Sequence, residues 1–240
     1  MNPSDHFINI YTRHAAEYEQ LVAREDYRGE LPRALAAIRP ATGLNVVELG
    51  AGTGRVTQLL APYARRLAVC DISPHMLSVA AAKLRAAGRR HWRALVADNA
   101  RVPLADRWAD LALAGWSFGH QTGWNPSGWR ITIGRALAEF RRVLRPGGTA
   151  IIIETLGTGR ETPEAPSPAL AEYYAWLEGE HGYSATWIRT DYRFASLEEA
   201  ARLTGFFFGE GFAARVLEDR WVDVPECTGI WWRTAEDVKT

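Results

Sequence analysis

The stretch VVELGAGTGR, Val46 to Arg55, limits what this chain can fold into more than any other. A short apolar run leads into three glycines, Gly50, Gly52 and Gly54, separated by single small residues. The run reads as a strand, and the glycines let the backbone turn tightly and approach a ligand closely. The helix expected next, over 53–63, would present unpaired N–H groups and a positive dipole end to that ligand. Such a strand, loop and helix unit belongs to alternating α/β chains.

The middle of the chain supplies the alternation. Strands are expected at 44–49, 66–71, 92–98, 109–115 and 149–155. Between them, 73–88 reads as a helix with Ser73 as N-cap, Pro74 at its first position and Gly88 at its end. A helix over 134–148 is stopped by Pro146 and two glycines. Continuous apolar runs such as AIII suit strands buried on both faces. After Gly205, 213–222 and 228–234 read as two strands joined by a turn at Pro225, an antiparallel hairpin at one edge. The expected division is a helical lid over 1–40, an α/β core over 41–155, a cap insertion over 156–195 and a return to the core over 196–240. The insertion opens on the turn-rich GTGRETPEAPSP, and a connection this long is usually functional.

Nearly half of the 240 residues are apolar, enough for one large core with a cap. Formal net charge is zero, which argues against nucleic acid as a partner, because non-specific binding relies on excess Lys and Arg. The two cysteines, Cys70 and Cys227, lack metal-ligand spacing, so no metal is expected and a reduced, cytoplasmic protein is the simplest reading. The first residues do not read as a secretory signal, and no apolar run is long enough to span a bilayer. The oligomeric state stays open between monomer and homodimer.

The loop's ligand is narrowed by its flanks. A dinucleotide fingerprint is Gly-x-Gly-x-x-Gly, and its third position here would fall on Arg55. Glu48 stands two residues before the first glycine, where a carboxylate repels a pyrophosphate and suits an amine or a sulfonium. Asp71 ends the second strand, where a ribose-binding acid belongs. Asp98 ends the third, in VADNARVPL, where it can accept from an adenine amine. Any one of these acids alone would be read as a solvated strand end or a helix cap. Three in order describe a cationic adenosine compound better than a dinucleotide.

VVELGAGTGR, the acid of CDIS, the acid of ADNARVPL, and RVLRPGGTAII resemble the successive motifs of class I S-adenosylmethionine-dependent methyltransferases of the small-molecule type. The resemblance covers roughly 44–155, and the C-terminal hairpin loosely. It implies a doubly wound, mainly parallel, seven-stranded Rossmann-like sheet with an antiparallel C-terminal edge strand and a helical cap. It implies S-adenosyl-L-methionine as cofactor, with Glu48, Gly50, Ala51, Gly52 and Gly54 along its methionine part. Asp71 then binds the ribose hydroxyls and Asp98 with Asn99 faces the adenine, with Ile72 and Trp116 also among the cofactor-binding residues.

GWSFGH, Gly115 to His120, matches the Gly-x-Ser-x-Gly nucleophile elbow, but the loop-like QTGWNPSG follows where a hydrolase needs a helix. In the methyltransferase reading this stretch leaves the fourth strand at the reaction centre. His120 has the residue type and place for general-base work on a hydroxyl acceptor, with hydrogen-bonded structure as the alternative and His181 a weaker candidate. The Asn/Asp-Pro-Pro-aromatic motif of enzymes that methylate base amines is missing. Trp116, Phe118, Trp124 and Trp129 surround the loop, and Tyr173, Tyr174, Trp176, Tyr183 and Trp187 crowd the insertion. They suit both core packing and a pocket for a flat or cationic small-molecule acceptor. An NAD(P)-dependent oxidoreductase and a non-catalytic S-adenosylmethionine-binding protein are the rival readings. The sequence names neither the acceptor nor the atom that is methylated.

Overall fold

Every residue of Asn45–Leu49 is buried, so this strand must be covered on both faces. The computed structural model describes residues 3–235 and shows how this is met. The outermost residues of the expected 1–40 and 196–240 segments lie outside that range.

Three helices come first: α1 (Pro3–Arg13), α2 (Ala15–Val22) and α3 (Glu30–Ile38). The alternating core follows as β1 (Asn45–Leu49), α4 (Arg55–Leu60), β2 (Arg66–Asp71), α5 (Pro74–Ala86), β3 (Trp92–Val96) and β4 (Ala109–Gly115). Next come α6 (His120–Trp124), α7 (Trp129–Val143), β5 (Leu144–Thr158), α8 (Pro168–Gly179) and β6 (Ser184–Arg189). The chain continues through β7 (Tyr192–Arg193), α9 (Leu197–Phe208), α10 (Glu210–Glu218), β8 (Asp223–Val224) and β9 (Glu226–Thr234).

Seven strands form one sheet in the order β3-β2-β1-β4-β5-β9-β6. The first five are mutually parallel, and β9 runs antiparallel to both β5 and β6. Successive residues of a strand feed opposite layers. Val46, Ile151 and Ile153 pack with Leu35, Val56 and Leu77 of α3, α4 and α5. Val47 and Ile152 pack with Ile133, Phe140 and Tyr173 of α7 and α8. The order reverses beside β1, where β2 and β4 lie on opposite sides of it. In a doubly wound sheet, ligands bind outside the strand ends at that reversal.

The doubly wound sheet and its antiparallel C-terminal strand are as expected, and Ser73 caps α5 by accepting from Met76 N. Some expectations need correction. Residues 213–222 are not a strand. Most of them lie in α10, which follows Gly209 and buries Val216 completely, with polar residues around it. The partner of β9 on its outer side is instead β6, which belongs to the sheet and not to a cap. The helix expected over 134–148 starts earlier, at Trp129, and ends at Val143. Pro146 and its glycines then lie within β5, where the register with β4 shifts. Among the described residues, no helix is long and apolar enough to cross a membrane.

Candidate active site

A cavity of about 450 Å³ opens at the reversal point, a size usual for a small-molecule site. Sheet order explains its lining. Asp98 and Asn99 follow β3, Asp71 and Ile72 close β2, Glu48 and the glycine loop close β1, and Trp116 follows β4. Adjacent strands are about 4.8 Å apart, so these groups stand in a row along one edge. All of them line the cavity, as do Gly50, Ala51, Gly52 and His120. Gly54 does not. A Cβ there would come within 2.9 Å of Ala80 Cβ, so its smallness serves the packing of α4 on α5.

The loop is held from below by an acid. Asp71 accepts from Gly52 N and Ser73 N, both at 2.8 Å. Burial raises its carboxyl above the usual range, and these N–H groups oppose the rise. Gly50 has a φ of +63°, and a Cβ on it would fall 1.9 Å from Ser117 Oγ. Ser117 Oγ in turn accepts from Asn99 Nδ2 at 3.1 Å, tying the loops after β3 and β4 together.

Glu48 is almost fully buried and accepts from the Thr57 hydroxyl; burial pushes its carboxyl up to about 8. Thr53 Oγ1 is buried on the cavity wall with no hydrogen-bond partner. Ile72 is 70% exposed, a large apolar side chain beside the cavity. The buried acid, the orphaned hydroxyl and the exposed isoleucine offer polar and apolar contacts within one cavity.

The far end of the cavity is aromatic. The His120 ring stacks on Trp124 with centroids 4.9 Å apart, and Tyr11 Oη lies 3.1 Å from His120 Nε2. Burial lowers His120 to about 4, so the imidazole is neutral at pH 7. Trp116 sits at a φ of +47°, an uncommon conformation for a bulky residue, of the kind that clusters at functional sites. Its ring lies 3.8 Å from the Arg55 guanidinium, which pairs with Glu25 at 2.5 Å. Tyr11 and Tyr18 reach the cavity from α1 and α2.

Among the described residues, none from 156–195 lines the cavity. Of the two readings left open for the aromatics of that insertion, core packing is the one observed. Tyr173, Tyr174, Trp176 and Tyr183 join the core under β5 and β9, and His181 packs on Trp176. The aromatic support behind the N-terminal helices comes from α9: Phe207 contacts Phe7 and Tyr18, and Phe206 contacts His14. Sequence reading also passed over Glu154. Its buried carboxyl accepts from Gly119 N at 2.8 Å and so fixes the start of α6, which carries His120. Burial raises it to about 8.

Residues 47–152 match the sequence profile of the family described as Methyltransferase domain. The chain is 34% identical over 115 residues to the ubiquinone/menaquinone biosynthesis C-methyltransferase UbiE of Rubrivivax gelatinosus, covering 48% of this chain and 41% of that one. It is 30% identical over 151 residues to a malonyl-[acyl-carrier protein] O-methyltransferase of Serratia marcescens, covering 63% and 52%. The chain thus spans about half the length of these curated relatives. Its fold resembles a SAM-dependent methyltransferase of Aquifex aeolicus, with a TM-score of 0.57 at 15% identity over 92% of this chain and 98% of that one. These similarities do not favour the dinucleotide reading.

Proposed function

We propose that this chain, whose residues 47–152 match the methyltransferase domain family, uses S-adenosylmethionine to pass a methyl group to a small-molecule acceptor seated among Tyr11, Trp116, His120 and Trp124. One observation carries the reading: a single cavity joins the acid-lined strand ends to an aromatic end covered by α1 and α2. In this reading Asp71 and Ile72 hold the ribose, Asp98 and Asn99 face the adenine, and Glu48 with Gly50, Ala51 and Gly52 takes the methionine part. Thr53 Oγ1 has an open hydrogen-bonding position for the same ligand. Gly54 acts one step removed, by letting α4 pack closely.

When bound, the cofactor supplies a methyl group on a sulfonium, and alignment and exclusion of water are the protein's main work. Trp116 and Trp124 wall the acceptor end, and α1 and α2 close it from solvent. His120, neutral at pH 7, keeps a nitrogen able to take a proton. The C-methyltransferase of ubiquinone/menaquinone biosynthesis among the relatives supports a small acceptor.

The test is mass spectrometry of a metabolite extract incubated with the protein and deuteriomethyl-labelled cofactor. The expected result is one acceptor gaining a labelled methyl group, with S-adenosylhomocysteine formed in equal amount. Binding of the cofactor with no labelled product would favour a non-catalytic binding protein. Displacement of the cofactor by NAD would sink the reading altogether.

A further inference from the structure

The Tyr11 hydroxyl and His120 Nε2 are 3.1 Å apart, and which of them gives the proton decides what the cavity can bind. With the imidazole proton on Nδ1, Nε2 keeps its lone pair. Tyr11 must then donate to Nε2. With its proton committed, the phenol oxygen has only lone pairs left for the cavity.

Burial keeps both partners neutral, with Tyr11 well above its usual range and His120 down to about 4. The titratable groups facing the pair are Tyr18 from α2, Glu154 from β5 and Asp71 from β2. Arg55 is the cationic side chain among the described residues lining the cavity, and Glu25 already holds it. An anionic acceptor would meet a lone pair and no uncommitted cation.

We propose that Tyr11 and His120 act as a pair that selects a neutral acceptor bearing O–H or N–H, Tyr11 Oη accepting that group's hydrogen bond and relaying its proton to His120 Nε2. The inference rests on the methyl-transfer reading above. As the acceptor atom bonds to the methyl carbon, the carbon–sulfur bond opens toward sulfur and the acceptor's bond to hydrogen breaks. That proton joins Tyr11 Oη while Tyr11's own proton joins Nε2, so the phenol is regenerated. One positive charge enters on the sulfonium and one remains on the imidazole. The net charge of the cavity stays constant, which offsets the cost of charging a buried ring.

Heteronuclear NMR of the imidazole nitrogens, on the full chain with S-adenosylhomocysteine bound, reads the tautomer without any acceptor. The expected result is a proton on Nδ1 between about pH 5.5 and 8.5, with the Nε2 shift displaced in Tyr11→Phe. A proton on Nε2, or an unmoved Nε2 shift in that variant, overturns the pair. Turnover is then compared on phenols, amines and carboxylic acids. Transfer to phenols or amines should fall at least about a hundredfold in Tyr11→Phe and in His120→Asn, with S-adenosylhomocysteine affinity kept within about threefold. Full-rate transfer by Tyr11→Phe, or transfer to carboxylic acids alone, overturns the inference and leaves methyl transfer standing. No transfer to any acceptor removes methyl transfer and the relay together, while the tautomer still reports on the hydrogen bond.

Discussion

Glu48 holds a proton at neutral pH, because a carboxyl that is 2% exposed and raised to about 8 stays mostly protonated at pH 7. An ammonium group beside it would favour the ionised form. Cofactor binding at pH 7 should therefore release about one proton. Calorimetry in buffers of different ionisation enthalpy measures this, and Glu48→Gln should abolish the release. Buffer-independent heats in the unmutated protein would assign the amine to another partner. Glu48, Asp71 and Asp98 were legible in the sequence because each ends a strand at a fixed place after an apolar run. Gly54 shared the same pattern yet serves packing, a distinction that depends on Ala80 of another helix. Arg55 and Glu25 were not legible as a pair, since only the docking of the N-terminal segment brings them together.

At the scale of elements, that docking depends on a few polar contacts. Arg55 pairs with Glu25, whose side chain is 3% exposed, and Lys83 of α5 pairs with Glu19 of α2. Ser73 Oγ donates to the Tyr11 carbonyl, and Glu25 also accepts from Thr190. Removing one half of a buried pair strands the other charge. Arg55→Met alone should destabilise the protein by about 3–5 kcal/mol, and Arg55→Met with Glu25→Gln by clearly less. Denaturant midpoints for the two single variants and the double variant check this; strictly additive losses would show that the pair is not coupled. Strands buried on both faces were readable from sequence as continuous apolar runs, as β1, β2 and β4 show. Strand β6 was missed because its side chains are mostly exposed and its alternation, Ser-Ala-Thr-Trp, is short. Helix α10 was mistaken for a strand because valines and a tryptophan spaced among charges mimic a period of two, whereas the chain buries only Val216 fully.

For the whole molecule, three buried acids set the response to pH. Glu48, Glu154 and Glu226 are each raised by burial to about 8. Between the ordinary carboxyl value and about 8, the folded chain holds protons that the unfolded chain has released. Stability therefore falls as pH rises through that window, by up to about 1.4 kcal/mol per unit for each acid. His120, lowered to about 4, acts in the opposite sense between about 4 and its ordinary value, because there only the unfolded chain is protonated. The steepest loss should fall between about pH 6.5 and 8, where the histidine no longer compensates. Thermal midpoints should drop across that range, and a flat profile would show that these acids are ionised in the folded protein. The placement of β9 between β5 and β6 has a consequence for biosynthesis. A ribosome delivers both neighbours before the strand that joins them. Until β9 emerges, each presents a raw edge of unpaired N–H and C=O groups, and that of β5 includes the apolar Ile151, Ile152 and Ile153. A stall in translation before β9 thus costs more than one strand: it leaves one side of the nascent sheet open to wrong pairing with other chains.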